Sequence, residues 1–200
     1  ISNVRIASAA ANADTAASPI SLGYNYAVSG WRVVGCDTTW PSSVGSALSA
    51  GIEGGAQSGT YVGFNYVHEV YGSLATPQNH GIYYSTENSA AVFPANDNII
   101  EYNYMVNCTG GSFVQFYSSA GVDMERNTIR HNVGVTSGKY GLNLNISFIS
   151  GDVYNNVIIG TPLAGLQFNN GGASTFAINV SFNTFYNCAY SGNYSVISHD

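Results

Sequence analysis

The 200-residue sequence predicts an all-β chain wound into a parallel β-helix, a solenoid of about six coils with three short strands in each. An asparagine motif recurs every few tens of residues, and an apolar-polar-apolar motif keeps step with it. No helical periodicity falls between the two. A motif repeated at roughly 20–50 residues marks stacked supersecondary units, which bury a continuous core only by lying on one another.

The clearest copy of the first motif is Asp123-Met124-Glu125-Arg126-Asn127-Thr128-Ile129, with an apolar residue three before the asparagine and another two after it. The same spelling recurs at Val62, Asn65 and Val67, at Ile100, Asn103 and Met105, at Val153, Asn156 and Ile158, and at Val180, Asn183 and Phe185. The steps between asparagines are then 38, 24, 29 and 27 residues. The second motif reads Gly51-Ile52-Glu53-Gly54, Gly81-Ile82-Tyr83-Tyr84, Val114-Gln115-Phe116, Leu142-Asn143-Leu144, Leu166-Gln167-Phe168 and Tyr194-Ser195-Val196. A period of two is the signature of a strand with one buried face. Each coil thus contributes one strand at this motif (first sheet), one ending just before the asparagine (second sheet) and one just after it (third sheet).

The asparagine stands where the chain turns, because Asn tolerates the left-handed backbone region better than other non-glycine residues. Stacked on its copies about 4.8 Å apart, its amide bonds the amides above and below. Asn103, Asn127, Asn156 and Asn183 are therefore expected to form a structural ladder.

Residues 1–50 are the least regular. Ala7 to Ala17 is rich in small residues, Ser18-Pro19 marks a turn, and Trp31 to Cys36 reads as a strand. They form an irregular opening coil or coils, or an N-terminal covering segment, ahead of the repeats at 51–200. Long insertions at 70–79 and 86–98 flank a first-sheet strand, and long loops on a repetitive scaffold are common places for function.

The paired signatures HGIYYS with NIIEYNYMVNC, and VQFYSS with MERNTIRHN, resemble the right-handed parallel β-helix repeats of the pectate-lyase-like superfamily, from about Gly51 onward. The resemblance implies a right-handed coil and a class holding polysaccharide lyases, glycoside hydrolases, phage tail-spike depolymerases and non-catalytic surface proteins. The chain has no Asn-Thr-Asp, Asp-Asp or Arg-Ile-Lys run of the polygalacturonase kind. The superfamily commonly places its glycan cleft on the first sheet.

Only 8% of residues are charged and the net charge is −6 with five basic side chains, which argues against nucleic acid and anionic membranes as partners. A neutral polysaccharide suits such a surface better than a polyuronate. No apolar run approaches the length of a membrane span. The sequons at Asn107, Asn145, Asn179 and Asn193 are no more than chance supplies in so Asn-rich a chain. Cys108 and Cys188 each follow a ladder asparagine by five residues, with two coils between them, too far apart for a disulfide.

On the first sheet the outward column reads Glu53, Tyr83, Gln115, Asn143, Gln167, Ser195, and the next reads Gly55, Ser85, Tyr117, Asn145, Asn169, Ile197. Amides and hydroxyls can pair with sugar hydroxyls, and Tyr rings can stack on a pyranose. Tyr83, Gln115, Tyr117, Asn143, Asn145, Gln167 and Asn169 are the expected substrate-binding residues of an open strip about 25 Å long. Glu53 and His80, in neighbouring coils beside Tyr83, are the candidate catalytic acid and base, with Glu69 or Glu87 as loop partners. On the second sheet Glu101 and Glu125, and likewise Asp123 and Asp152, are expected to stack in consecutive coils. Such pairs suit a general acid or a Ca²⁺ site unless Arg126 and Arg130 neutralise them. No other cofactor is implied, and His131 is left as a further titratable candidate.

The expectation is an extracellular or cell-surface carbohydrate-interacting module, catalytic or not. The alternative is a structural or adhesive rod of a cell surface, fibre or virion. The last strand, near Val196, is followed by no blunting helix, proline or lysine. The sequence therefore suggests part of a longer chain or an end-to-end assembly.

Overall fold

A computed structural model describes residues 1–3, 5–7, 18–22, 28–40, 49–55, 57–72, 79–86, 94–118, 122–145, 148–169, 177–191 and 195–199. They form a right-handed parallel β-helix of about six coils. The first sheet stacks Ile20–Ser21, Ser49–Gly54, Asn79–Ser85, Val114–Tyr117, Leu142–Asn145, Leu166–Asn169 and Ile197–His199, in chain order. The second stacks Arg32–Val34, Tyr61–Gly63, Ile99–Glu101, Asn127–Arg130, Ser150–Tyr154 and Ala177–Ser181. The third stacks Arg5–Ala7, Asp37–Trp40, Tyr66–Val70, Tyr104–Cys108, Val133–Ser137, Val157–Thr161 and Thr184–Cys188. The strands before residue 51 enter the same three sheets, except Val28–Ser29, which pairs with Gln57–Ser58 in a separate two-stranded sheet. The insertions near 73–78 and 87–93, and Glu87 with them, lie outside the described residues.

Each inward column is a row of apolar side chains in strict register. Ile52, Ile82, Val114, Leu142 and Leu166 pair in sequence, as do Val62, Ile100, Ile129 and Val153. All nine are fully buried. At about 1.5–3 kcal/mol per buried aliphatic side chain, these columns fix the register of every coil. The interior is also aromatic: Tyr84 stacks on Phe116 at 5.0 Å, and Phe148 meets Phe116 edge-on.

The asparagine ladder is present, with one member different from expectation. Asn65, Asn103, Asn132, Asn156 and Asn183 are linked, each donating its backbone N–H and its Nδ2 to the Oδ1 of the next at 2.9–3.1 Å. Each Nδ2 also reaches back to a carbonyl of the preceding coil, such as Ile100 O for Asn132. The true steps are 38, 29, 24 and 27 residues. Asn127 instead opens a second-sheet strand and sits beside Asn98, whose N–H bonds its Oδ1 at 3.0 Å.

The left-handed position is corrected as well. It belongs to the residue before each ladder asparagine: Phe64, Tyr102, His131, Asn155 and Phe182 have φ of 54–58°. Asn3 and Gly35 open the same column, with φ of 52° and 65°. The asparagine itself faces inward, where burial makes its amide bonds count. A further left-handed column bends the five third-sheet strands from Tyr66–Val70 to Thr184–Cys188, at Glu69, Asn107, Thr136, Gly160 and Asn187.

Cys108 pairs with Ser137 and Cys188 with Thr161, so the cysteines share a column with two coils between them, and all three cysteines are free thiols.

Candidate functional site

The first sheet gathers the predicted strip on one face. Glu53 pairs with Tyr83, Tyr83 with Gln115, Gln115 with Asn143, and Asn143 with Gln167. One step along the strands, Ser85 pairs with Tyr117 and Asn145 with Asn169. The column does not end at Ser195. Gln167 pairs with Ser198, and Ile197 continues the apolar row of Leu166, because the last strand starts later than its motif suggests.

The strip is not an open surface. Tyr83 is 1% exposed, Asn143 3%, Glu53 5%, Gln167 6% and Gln115 9%. Pointing away from the coil axis is therefore not the same as facing water; among the strip side chains that are described, Tyr117 and Asn145 are half-buried. Within it, Asn143 Nδ2 donates to Gln115 Oε1 at 3.0 Å. The Oδ1 atoms of Asn143 and Asn145 are buried with no hydrogen-bond partner among the described residues. Burial raises the Glu53 carboxyl above its ordinary range, against a smaller lowering from its hydrogen bond with Ser18.

His80 lies inside its strand, its ring stacked 5.1 Å from that of Tyr83. Its Nδ1 accepts the backbone N–H of Ser112 at 3.0 Å, which leaves the proton on Nε2. Burial, and then the charge of Lys139, lower it to about 3. A base titrating near neutral pH, as expected from the sequence, is not what this imidazole provides.

The second-sheet carboxylates are not stacked on one another. Glu101 pairs in register with Arg130, and Asp152 with Thr128 and Asn179. Arg130 Nε binds Glu101 Oε2 while its Nη1 donates to the Tyr154 hydroxyl at 2.6 Å. Tyr61 crosses Gly63 to donate to Glu101 Oε1 at 2.8 Å, and a Cβ at Gly63 would lie 2.6 Å from the Tyr61 ring. Arg126 clamps Asp97 through Nε and Nη2 at 2.7 and 2.9 Å and also bonds Glu125, holding Asp97 below its usual range. The cause is the same displacement that moved Asn127 out of the ladder. Among the described residues, no group of three His, Cys, Asp or Glu side chains is placed to hold a metal ion.

Sequence reasoning missed an exposed aromatic corner between the second and third sheets. Phe64 stacks on Tyr102 at 5.0 Å, and Tyr102 on His131 at 4.8 Å. Alongside, Tyr66 stacks on Tyr104 at 5.7 Å and on His68 at 4.3 Å, and His68 Nε2 lies 2.9 Å from Asp37 Oδ1. The available signal was an aromatic on each side of Asn65 and of Asn103.

No protein-family model, no curated protein and no solved structure matches this chain.

Proposed function

We propose that this chain is an extracellular polysaccharide-interacting β-helix module of the pectate-lyase-like kind, which contacts a neutral glycan along the first-sheet face. The observation that supports it is the pair of unpartnered amide oxygens, Asn143 Oδ1 and Asn145 Oδ1, in a row with Gln115, Tyr117 and Gln167. A buried acceptor without a donor costs about 1–3 kcal/mol, and a sugar hydroxyl supplies that donor when the margin at half-buried Tyr117 and Asn145 opens to admit it. Tyr117, half-buried at the margin, offers a ring for stacking.

If the strip also turns a glycan over, Glu53 is the group suited to donate a proton, since burial favours its neutral form. His80 then holds the Tyr83 ring rather than acting as base. A structural rod is the second reading, favoured by the stacking of the same three parallel sheets through coil after coil.

Affinity electrophoresis against a panel of soluble polysaccharides, followed by a reducing-end assay on the positives, tests both readings. Tyr117→Ala is expected to weaken binding by about 1–3 kcal/mol. Glu53→Gln is expected to stop any turnover while leaving binding in place. Retention by no glycan, together with end-to-end association in light scattering, would replace the module reading with the rod.

A further inference from the structure

One left-handed column combines two costs in the same residues. Asn and Gly occupy such backbone at little cost, as Asn3, Gly35 and Asn155 do here, whereas a bulky ring there is uncommon and must be held in place. Yet Phe64, Tyr102 and Phe182 stand in this column at φ of 58°, 55° and 54°, and are 56%, 46% and 84% exposed. Backbone strain and exposed aromatic surface coincide where an asparagine would serve the turn alone. Tyr66 and Tyr104, 41% and 47% exposed, widen the same corner. Stacking of Phe64, Tyr102 and His131 sets the rings in a fixed row along the coil axis. The residue above Phe64 is Gly35, which has no side chain of its own to lay over that ring.

We infer that this corner is a second glycan-contact line, on a different face from the first sheet, that takes a neutral polysaccharide chain running along the solenoid axis. The rings of Phe64, Tyr66, Tyr102 and Tyr104 together expose roughly 400 Å², about half of the ~800 Å² that each partner gives to a stable protein interface. A narrow row suits a linear chain better than a globular partner. Among the described side chains, the ionisable groups along it include Asp37, His68, Glu69 and His131, and Arg130 on the neighbouring sheet is held by Glu101 and Tyr154. With Asp37 and Glu69 on it and a net charge of −6 on the chain, this face disfavours an anionic polymer. Tyrosine rings combine an apolar body with a hydroxyl that can bond a sugar.

The ligand class rests on the polysaccharide reading above, but the surface does not. The test uses the full chain in native gels containing hydroxyethylcellulose, xylan, galactomannan or dextran. A variant carrying Phe64→Asn and Tyr102→Asn keeps the residue type that the column already uses at Asn155. It is expected to melt at the same or a higher temperature and to bind about tenfold more weakly or worse. Tyr117→Ala with Asn145→Ala probes the first sheet in parallel. Loss confined to the Phe64 and Tyr102 pair supports the corner and removes the first-sheet face. Loss confined to the Tyr117 and Asn145 pair overturns the corner and leaves the first-sheet reading intact. Retention of the native protein by none of the gels overturns both. Should the double variant not fold, Phe64→Asn and Tyr102→Asn singly, read the same way, decide the matter.

Discussion

Replacing Asn132 by alanine should be among the most damaging single changes in the ladder, although the repeat spelling puts Asn127 there instead. Asn132 is fully buried. Its Oδ1 accepts the N–H and the Nδ2 of Asn103, and its Nδ2 serves Ile100 O, Arg130 O and Asn156 Oδ1. The alanine variant leaves the Asn103 N–H without its acceptor and the Ile100 carbonyl without this donor, both in the interior. At about 1–3 kcal/mol for each stranded group, the loss should be about 4 kcal/mol. For a chain of this size that is a fall in Tm of about 8–16 °C. Asn183→Ala removes the matching bonds to Asn156 and Val153 in a half-exposed coil, where water can replace them, and should cost about 1–2 kcal/mol. Urea unfolding followed by far-UV circular dichroism gives both values. A loss at Asn132 below about 1 kcal/mol, or no larger than that at Asn183, would refute the assignment of ladder energy to burial.

Three further outcomes are expected. Burial first, and then the bond to Glu101, push the Tyr61 phenol up to about 12. That raised value contributes stability which is complete below pH 10 and lost as pH rises through 12. Gly63→Ala should shorten this alkaline loss and lower the phenol transition near pH 12 in an ultraviolet titration, since its Cβ displaces the Tyr61 ring. His80 is lowered to about 3, so the unfolded chain takes up a proton that the folded chain does not as pH falls from 6.5 to 3. Stability should therefore drop over that window, and less so in His80→Gln; equal acid sensitivity in both proteins would contradict the neutral imidazole. Burial pushes the Cys108 thiol well above its ordinary value. A thiol reagent should label half-buried Cys188 in the native protein, spare Cys108, and count three thiols after denaturation without reductant.

The coil period and the three-strand unit were legible because they depend on alternation of apolar residues, which burial enforces at every coil. The ladder register failed in one coil for a local reason. The residue two after Asn132 is Gly134 rather than an aliphatic, because the ring of Phe113 fills that place, and a Cβ there would lie 2.4 Å from it. Asn127, which opens a strand beside Asn98, carries the apolar neighbours Met124 and Ile129 and so imitates the motif. That shift of five residues also misplaced Glu125 and Asp123. The chemistry of the strip was less legible than its membership. Alternation tells which way Tyr83 and Asn143 point, but their burial depends on what lies over the sheet, which no period encodes. The aromatic corner escaped because exposed rings at a left-handed residue break the rule that such positions take Asn or Gly.

The ladder also has a direction. Every asparagine gives its backbone N–H to the Oδ1 of the coil that comes after it in the chain, from Asn65 through Asn156. A newly laid coil is therefore left with an unfilled donor until its successor arrives with an acceptor. During synthesis from the N-terminus, each turn completes the one before it and stays incomplete itself. Folding can then advance like a ratchet, one notch per coil. A chain stalled after Asn103 would strand the amide of that residue, whereas one stalled after Asn132 would have locked it.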